Sequence, residues 1–144
     1  MARASLTGFD DLESMLSKLM EPTKMAVKAV DAAAPVLEES LRSEIRKAAN
    51  RTDEKGYPYS TGELAASIHR TEAKENHLGV FSVVKADGTD SKGLRNVEKL
   101  AYLEYGVASR GQVPRPVRQK AVNSAEEECI RIMQEVIYEE VDKL

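Results

Sequence analysis

Residues 68–85 read Ile68-His69-Arg70-Thr71-Glu72-Ala73-Lys74-Glu75-Asn76-His77-Leu78-Gly79-Val80-Phe81-Ser82-Val83-Val84-Lys85, and their reading decides the fold. Ile68 to Ala73 and Leu78 to Lys85 read as two strands, the second carried by the β-branched and aromatic Val80, Phe81, Val83 and Val84. Lys74-Glu75-Asn76-His77 between them is the expected hairpin turn. Both flanks are helical in pattern. A small antiparallel sheet set inside a helical chain makes an α+β domain, with a long N-terminal helical segment and a C-terminal helix packed on the sheet.

Upstream, Phe9, Leu12, Leu16 and Leu19 recur at steps of three and four, which predicts a first helix capped by Thr7 or Gly8. Pro22 suits the first position of a second helix. Val30, Ala34, Leu37, Leu41, Ile45 and Ala48 then form one stripe, with Pro35 expected to kink or split the helix. Asn50 and the segment Asp53 to Pro58 should end it. Ser60-Thr61-Gly62-Glu63 fits a capping box with Ser60 at the cap, opening a short helical turn through Ala66.

Downstream, residues 86–96 are rich in Gly, Asp, Ser and Lys and read as a mobile loop, with Leu94 its one core-forming residue. Val97 to Tyr105 fits a short helix stopped by Gly106; a strand over Ala101 to Tyr105 is the alternative. Residues 106–116 read as a second mobile loop. From Val117 a long helix carries two adjoining apolar stripes: Val122, Ala125, Cys129, Ile132 and Val136, then Ile130, Met133, Ile137, Val141 and Leu144.

The chain has 144 residues, enough for one domain that buries roughly 70% of its unfolded surface without disulfide or metal. Residues 1–144 are therefore expected to be a single domain. Apolar residues make up 42% and charged residues 31%, the balance of a helix-rich globular protein. Aromatic residues are only 5%, with no Trp, which disfavours a large aromatic ligand cage. Cys129 is the only cysteine, so an intramolecular disulfide is excluded and a reducing compartment is expected. The N-terminus starts like a signal peptide, but Gly8, Asp10, Asp11 and Glu13 interrupt it. No window approaches the ~20 apolar residues of a membrane span. Folding in the cytoplasm is the expectation.

A net charge of -3 argues against a dedicated duplex-DNA binder. The charge is segregated, however. Glu98 to Lys120 holds five bases against two acids, net +3, and Ala121 to Leu144 holds seven acids against two bases, net -5. A basic loop with Arg110, Arg115, Arg118 and Lys120 followed by an acidic helix with Glu127 and Glu128 suits contact between neighbouring copies, as well as plain solvated surface. The same bases, near Tyr102 and Tyr105, are the best nucleic-acid grip in the chain.

Catalytic and cofactor motifs are missing. No glycine pattern cradles phosphate. His69 and His77 with Glu72 and Glu75 match no metal-ligand spacing, and a surface hairpin explains them better. Ser67 and His69 lack a third triad member. Glu38-Glu39 and Glu126-Glu127-Glu128 diverge around helices instead of converging on a substrate. Cys129 sits on an apolar stripe, as a structural thiol does. The expectation is a protein with no catalytic residue, no cofactor and no metal.

Four segments, in order, resemble the tail-completion (head–tail joining) proteins of long-tailed bacteriophages and prophages. Gly8-Phe9-Asp10-Asp11-Leu12 is similar to their first helix, and Thr61-Gly62-Glu63-Leu64-Ala65-Ala66-Ser67-Ile68 to their T-G-x-L-x-x-S-I element. Ala101-Tyr102-Leu103-Glu104-Tyr105-Gly106 resembles A-x-x-x-E-[YF]-G, and Arg115-Pro116-Val117-Arg118-Gln119-Lys120-Ala121 resembles R-P-[FA]-[LM]-x-x-A. Val107 and Val117-Arg118 depart from the family's usual residues.

The resemblance implies a non-enzymatic virion part at the neck or head-proximal tail end, made in the host cytoplasm. It would close a ring, commonly of six, and join the tail tube to the head-neck connector proteins, with DNA only incidental in the channel and no membrane. Thr61, Gly62, Leu64, Ser67, Ile68, Glu104, Tyr105, Gly106 and Pro116 would then maintain the fold. Arg110, Arg115, Arg118, Lys120, Glu127 and Glu128 would face subunits or partners.

Overall fold

The computed structural model describes Ser14, Ser17 and residues 21–49 and 62–144. The stripe of Phe9, Leu12, Leu16 and Leu19, the caps Thr7 and Gly8, the segment from Asn50 to Pro58, and Ser60 and Thr61 lie outside the described residues.

Helix α1 spans Pro22–Ala49, α2 Glu63–Ala66, and four short strands follow: β1 Ile68–Arg70, β2 Lys74–Asn76, β3 Gly79–Phe81 and β4 Val84–Ala86. Helix α3 is Asn96–Tyr105, a 3-10 turn covers Ala108–Arg110, and α4 is Val117–Asp142. The fold is α+β, as the sequence predicts.

α1 opens on Pro22, whose missing N–H costs nothing there, and closes with Arg46 and Lys47 at the negative end of its dipole. Pro35 does not split it; the helix runs through. Ala34, Leu41 and Ile45 of the expected stripe are buried, together with Ala29 and Ala33. α4 lies antiparallel along α1. Lys28 pairs with Glu140 at 2.7 Å, the Cys129 thiol meets the Ala33 carbonyl at 3.6 Å, and Ser40 Oγ donates to the Ala121 carbonyl at 2.9 Å. Buried alanines occur on both helices (Ala29, Ala33 and Ala34 on α1, Ala121 and Ala125 on α4), and small side chains let the two helices approach closely. On α4 the buried line is Val117, Ala121 and Ala125; Val122, Ile130, Ile137 and Val141 from the expected stripes are exposed. A helix beside a single partner has one buried line, and the second stripe is left over.

The strands form one interrupted hairpin. β1 pairs antiparallel with β4 (Ile68 with Ala86, Arg70 with Val84), and β2 with β3 (Lys74 with Phe81, Asn76 with Gly79). Thr71, Glu72 and Ala73 bridge the two ladders on one side and only Ser82 and Val83 on the other, so the first strand carries one extra residue, a β-bulge. The expected turn at Lys74 to His77 is displaced. Lys74, Glu75 and Asn76 are strand, and the turn is Asn76 to Gly79. Asn76 Oδ1 accepts from the N–H groups of Leu78 (2.8 Å) and Gly79 (3.1 Å), and Gly79 has φ 138. An Asx turn backed by a glycine beats a window lacking one.

α1 is the layer that touches the strands, and α4 packs on α1. Only the start of α4 enters the core cluster, where Val117 and Ala121 join Leu41, Ile45, Ala65, Ile68, Ala86 and Leu100. No helix among the described residues is long and apolar enough to cross a membrane.

Candidate interaction surface

α2 starts at Glu63, with Gly62 at φ 80 in the cap position expected for Ser60. Ser67 is buried and its Oγ donates to the Leu64 carbonyl at 2.6 Å, which ends the turn. Ile68 is fully buried, and half-buried Leu64 packs against the same cluster. Ala101 to Tyr105 is helix, the preferred reading of that stretch. Gly106 ends it with φ 72. A Cβ there would stand 2.5 Å from the Gln112 carbonyl oxygen and 2.8 Å from Pro114 N, so only glycine lets the two chains pass.

Glu104 reaches across to α4. Its carboxylate accepts the Arg118 N–H at 2.8 Å, placing negative charge at the positive end of α4, and lies 3.7 Å from Arg118 Nε. The Arg118 guanidinium stacks over the Tyr105 ring, 5.4 Å from its centroid. Pro116 occupies the N-cap of α4, directly before the first turn.

Of the six charged residues expected at an interface, three are engaged by the chain's own groups, Arg118 and Glu128 while still exposed. Arg115 Nη1 donates to the Ala48 carbonyl at 2.6 Å, closing the C-terminus of α1, and Arg115 N donates to the Leu103 carbonyl at 2.8 Å. Arg118 is held by Glu104 and Tyr105. Glu128 is gripped by Arg131, which also takes Glu135, and that guanidinium holds the Glu128 carboxyl below the usual carboxylate range. Arg110, Lys120 and Glu127 remain exposed and make no ion pair or side-chain hydrogen bond within the described residues. Arg110 tips the 3-10 turn, in a small loop closed by reciprocal bonds between Val107 and Gln112 (3.1 and 3.0 Å).

The loop over residues 86–96 has its own frame. The Asp90 carboxylate accepts N–H groups from Lys92 (2.9 Å) and Leu94 (2.8 Å) and pairs with Lys99, which draws its pKa down. Leu94 is exposed; Ala86 and Asn96 are the buried residues at the ends of that loop. The Asn96 amide donates to the Asp87 carbonyl at 2.8 Å.

His69 and His77 are both exposed and sit at opposite ends of the hairpin, not side by side. Ser67 is buried while His69 is exposed, so they share no site. Among the described residues no group of three His, Cys, Asp or Glu side chains is placed to hold a metal. Burial pushes the Cys129 thiol up, away from nucleophilic character. Glu38 pairs with Arg42 and Arg70, and Glu39 with Arg46 and, at 3.7 Å, with the same Arg42, so both carboxylates are taken up by the chain's own guanidinium groups.

The bonding of Asp31 and Glu38 to the hairpin backbone is not legible in the sequence. Their carboxylates accept strand N–H groups 42 and 32 residues away, from Ala73 and Arg70. The residue after each of these strand positions carries no signal for such a partner.

Comparison of the chain with protein-family models, with curated proteins and with solved structures finds no match.

Proposed function

We propose that this chain is a non-enzymatic structural protein of a phage or prophage virion, one subunit of a ring that completes the tail and joins it to the head. The observation that carries the reading is the ordered set of resembling segments together with their place in the fold. Ala65 and Ile68 from the first described segment and Val117 and Ala121 from the last share one core, and Leu103 from the middle one packs against it. Leu103 and Glu104 from the middle segment hold the start of the last, accepting the N–H groups of Arg115 and Arg118. These residues act as fold-keepers, and the interface falls to what they leave free.

Free charge is separated along the chain. Arg110 and Lys120 lie before and at the first turn of α4, and Glu126, Glu127, Glu139 and Asp142 lie along it, all exposed and without ion pairs within the described residues. Opposite charge at two places on one surface favours a head-to-tail contact between copies, the geometry that closes rings. The ring is read as a hexamer at the neck, with tail-tube and head-neck connector proteins as partners, and DNA passing through without specific readout.

The test is light scattering and negative-stain microscopy of the protein alone and with purified tail tubes. Rings are expected at high concentration or on the tubes. Monomers under both conditions refute the reading. A nucleic-acid role rests on Arg110 and Lys120, since Arg115 and Arg118 are engaged internally; a filter-binding titration at low salt with no retained nucleic acid eliminates it.

A further inference from the structure

The two edges of the interrupted hairpin are finished differently. Bonds from Asp87 N to the Ser67 carbonyl (3.0 Å) and from Thr71 N to the Val83 carbonyl (2.8 Å) mark the hydrogen-bonded positions of the first ladder. By alternation, Ile68 and Arg70 on one strand, and Val84 and Ala86 on the other, direct their backbone groups outward. On the first strand α1 supplies partners for the Ile68 carbonyl and the Arg70 N–H. Arg42 Nη2 donates to the Ile68 carbonyl at 2.6 Å, Glu38 accepts the Arg70 N–H at 2.8 Å, and beyond the bulge Asp31 accepts the Ala73 N–H at 2.9 Å.

Among the described residues the second strand has no such cover. Val80 faces Glu75 beside the two-residue turn and also points its backbone groups outward, as do Ser82 and Val84 along the same strand. None of these outward groups meets a hydrogen-bonding partner within the described residues. The edge also lacks two of the usual guards. Gly79 to Val84 contains neither a charge nor a proline. Its outer face exposes Phe81 (38%) and Val83 (41%).

We propose that this edge pairs, antiparallel and about a two-fold axis at Ser82, with the same edge of a second copy of this chain. The occupant follows from the self-complementarity of the strand. With Ser82 opposite Ser82, the outward groups of Val80 and Val84 meet those of the second copy's Val84 and Val80. Phe81 then lies across from the second copy's Val83, and Val83 across from its Phe81, covering on each side the apolar groups that are exposed. Aromatic and β-branched cross-strand neighbours are a favourable pair. Lys85 comes opposite Gly79, so no like charges face each other. Centring the pair on Val84 instead places Lys85 against Val83 and Asp87 against Phe81. A two-fold contact closes on itself at a dimer, so it is separate from the ring contact and does not depend on the virion reading.

Site-resolved amide hydrogen exchange, run beside sedimentation velocity over a range of protein concentrations, tests the pairing. A dimer is expected, with the Val80, Ser82 and Val84 amides gaining protection as it forms. Val83→Lys, at an exposed position, should leave the circular dichroism unchanged and weaken dimerisation on the order of tenfold, from two lost cross-strand pairs. Phe81→Lys, on the same pair, is the second variant. A chain that stays monomeric to millimolar concentration overturns the proposal. So does a dimer with those three amides unprotected, or one that both lysine variants leave intact. Protection that appears only when a different protein is added gives the edge to that partner, and also overturns it.

Discussion

The helical body and the hairpin solve the same problem, buried backbone and covered apolar surface, to different degrees. α1 and α4 satisfy their own backbones and meet along alanines, and their ends are closed by Arg115 on Ala48 and by Glu104 on Arg118. The hairpin satisfies one edge only by borrowing carboxylates and an arginine from α1, and leaves Leu78, Phe81 and Val83 in solvent. A helix is complete by itself, whereas a two-stranded ladder always has two edges to dispose of. The difference places the closed core in the body and the open backbone edge in the hairpin.

The largest expected effect is at the joint between the two regions. Ile68 is fully buried where hairpin, α1 and α4 meet. Ile68→Ala should cost roughly 2–5 kcal/mol, read from the midpoint of urea unfolding. A loss under ~1 kcal/mol would mean that this core is not the joint between the two regions.

Gly106→Ala comes next. It combines positive φ with a Cβ driven into the Gln112 carbonyl, and should cost about 2–3 kcal/mol by the same measurement. Arg115→Ala strips the carbonyl end of α1 of its charged donor and should cost about 1–2 kcal/mol, with Arg115→Lys recovering only part of it.

Acid tests the ion pairs. Asp90, held low by Lys99, and Glu140, held low by Lys28 and then Lys143, have folded pKa values below their unfolded ones. Their stabilisation is present above the ordinary carboxylate pKa and is lost as pH falls through the lowered values. Thermal midpoints should therefore drop below about pH 4, and Asp90→Asn should flatten part of that fall. An unchanged pH profile in Asp90→Asn removes Asp90 from the account.

The smallest effect belongs to the hairpin tip. Leu78 is 84% exposed, and Leu78→Ser should shift stability by less than ~0.5 kcal/mol. A larger loss would show that the tip is covered in solution, and would blur the division between body and hairpin.

Local patterns carried much of the architecture. The stripe through Leu41 and Ile45, the proline at the head of α1, the glycine after Tyr105 and the strand character of Val80, Phe81 and Val84 all act within a few residues, and all are seen in the fold, although the second expected strand is broken at Ser82 and Val83. The turn was misplaced by two residues because Lys74 to His77 and Asn76 to Gly79 are both polar enough to turn, and only the second has an Asx side chain aimed at a glycine. The charged surface was legible as composition but not as partnership. Arg115, Arg118 and Glu128 look as free in the sequence as Arg110, Lys120 and Glu127.

What the sequence determined by itself is therefore the set of elements, their order and the α+β class, since periodicity, caps and turn residues are short-range physics. Tertiary structure alone decided which apolar stripe of α4 is buried, which charges are spent inside the chain, and which edge of the hairpin stays open. Most of these depend on a neighbour far away in the chain, such as Glu38 against Arg70 or Ala48 against Arg115, and no local pattern encodes so distant a partner; Glu128 against Arg131, three residues on, is the local exception.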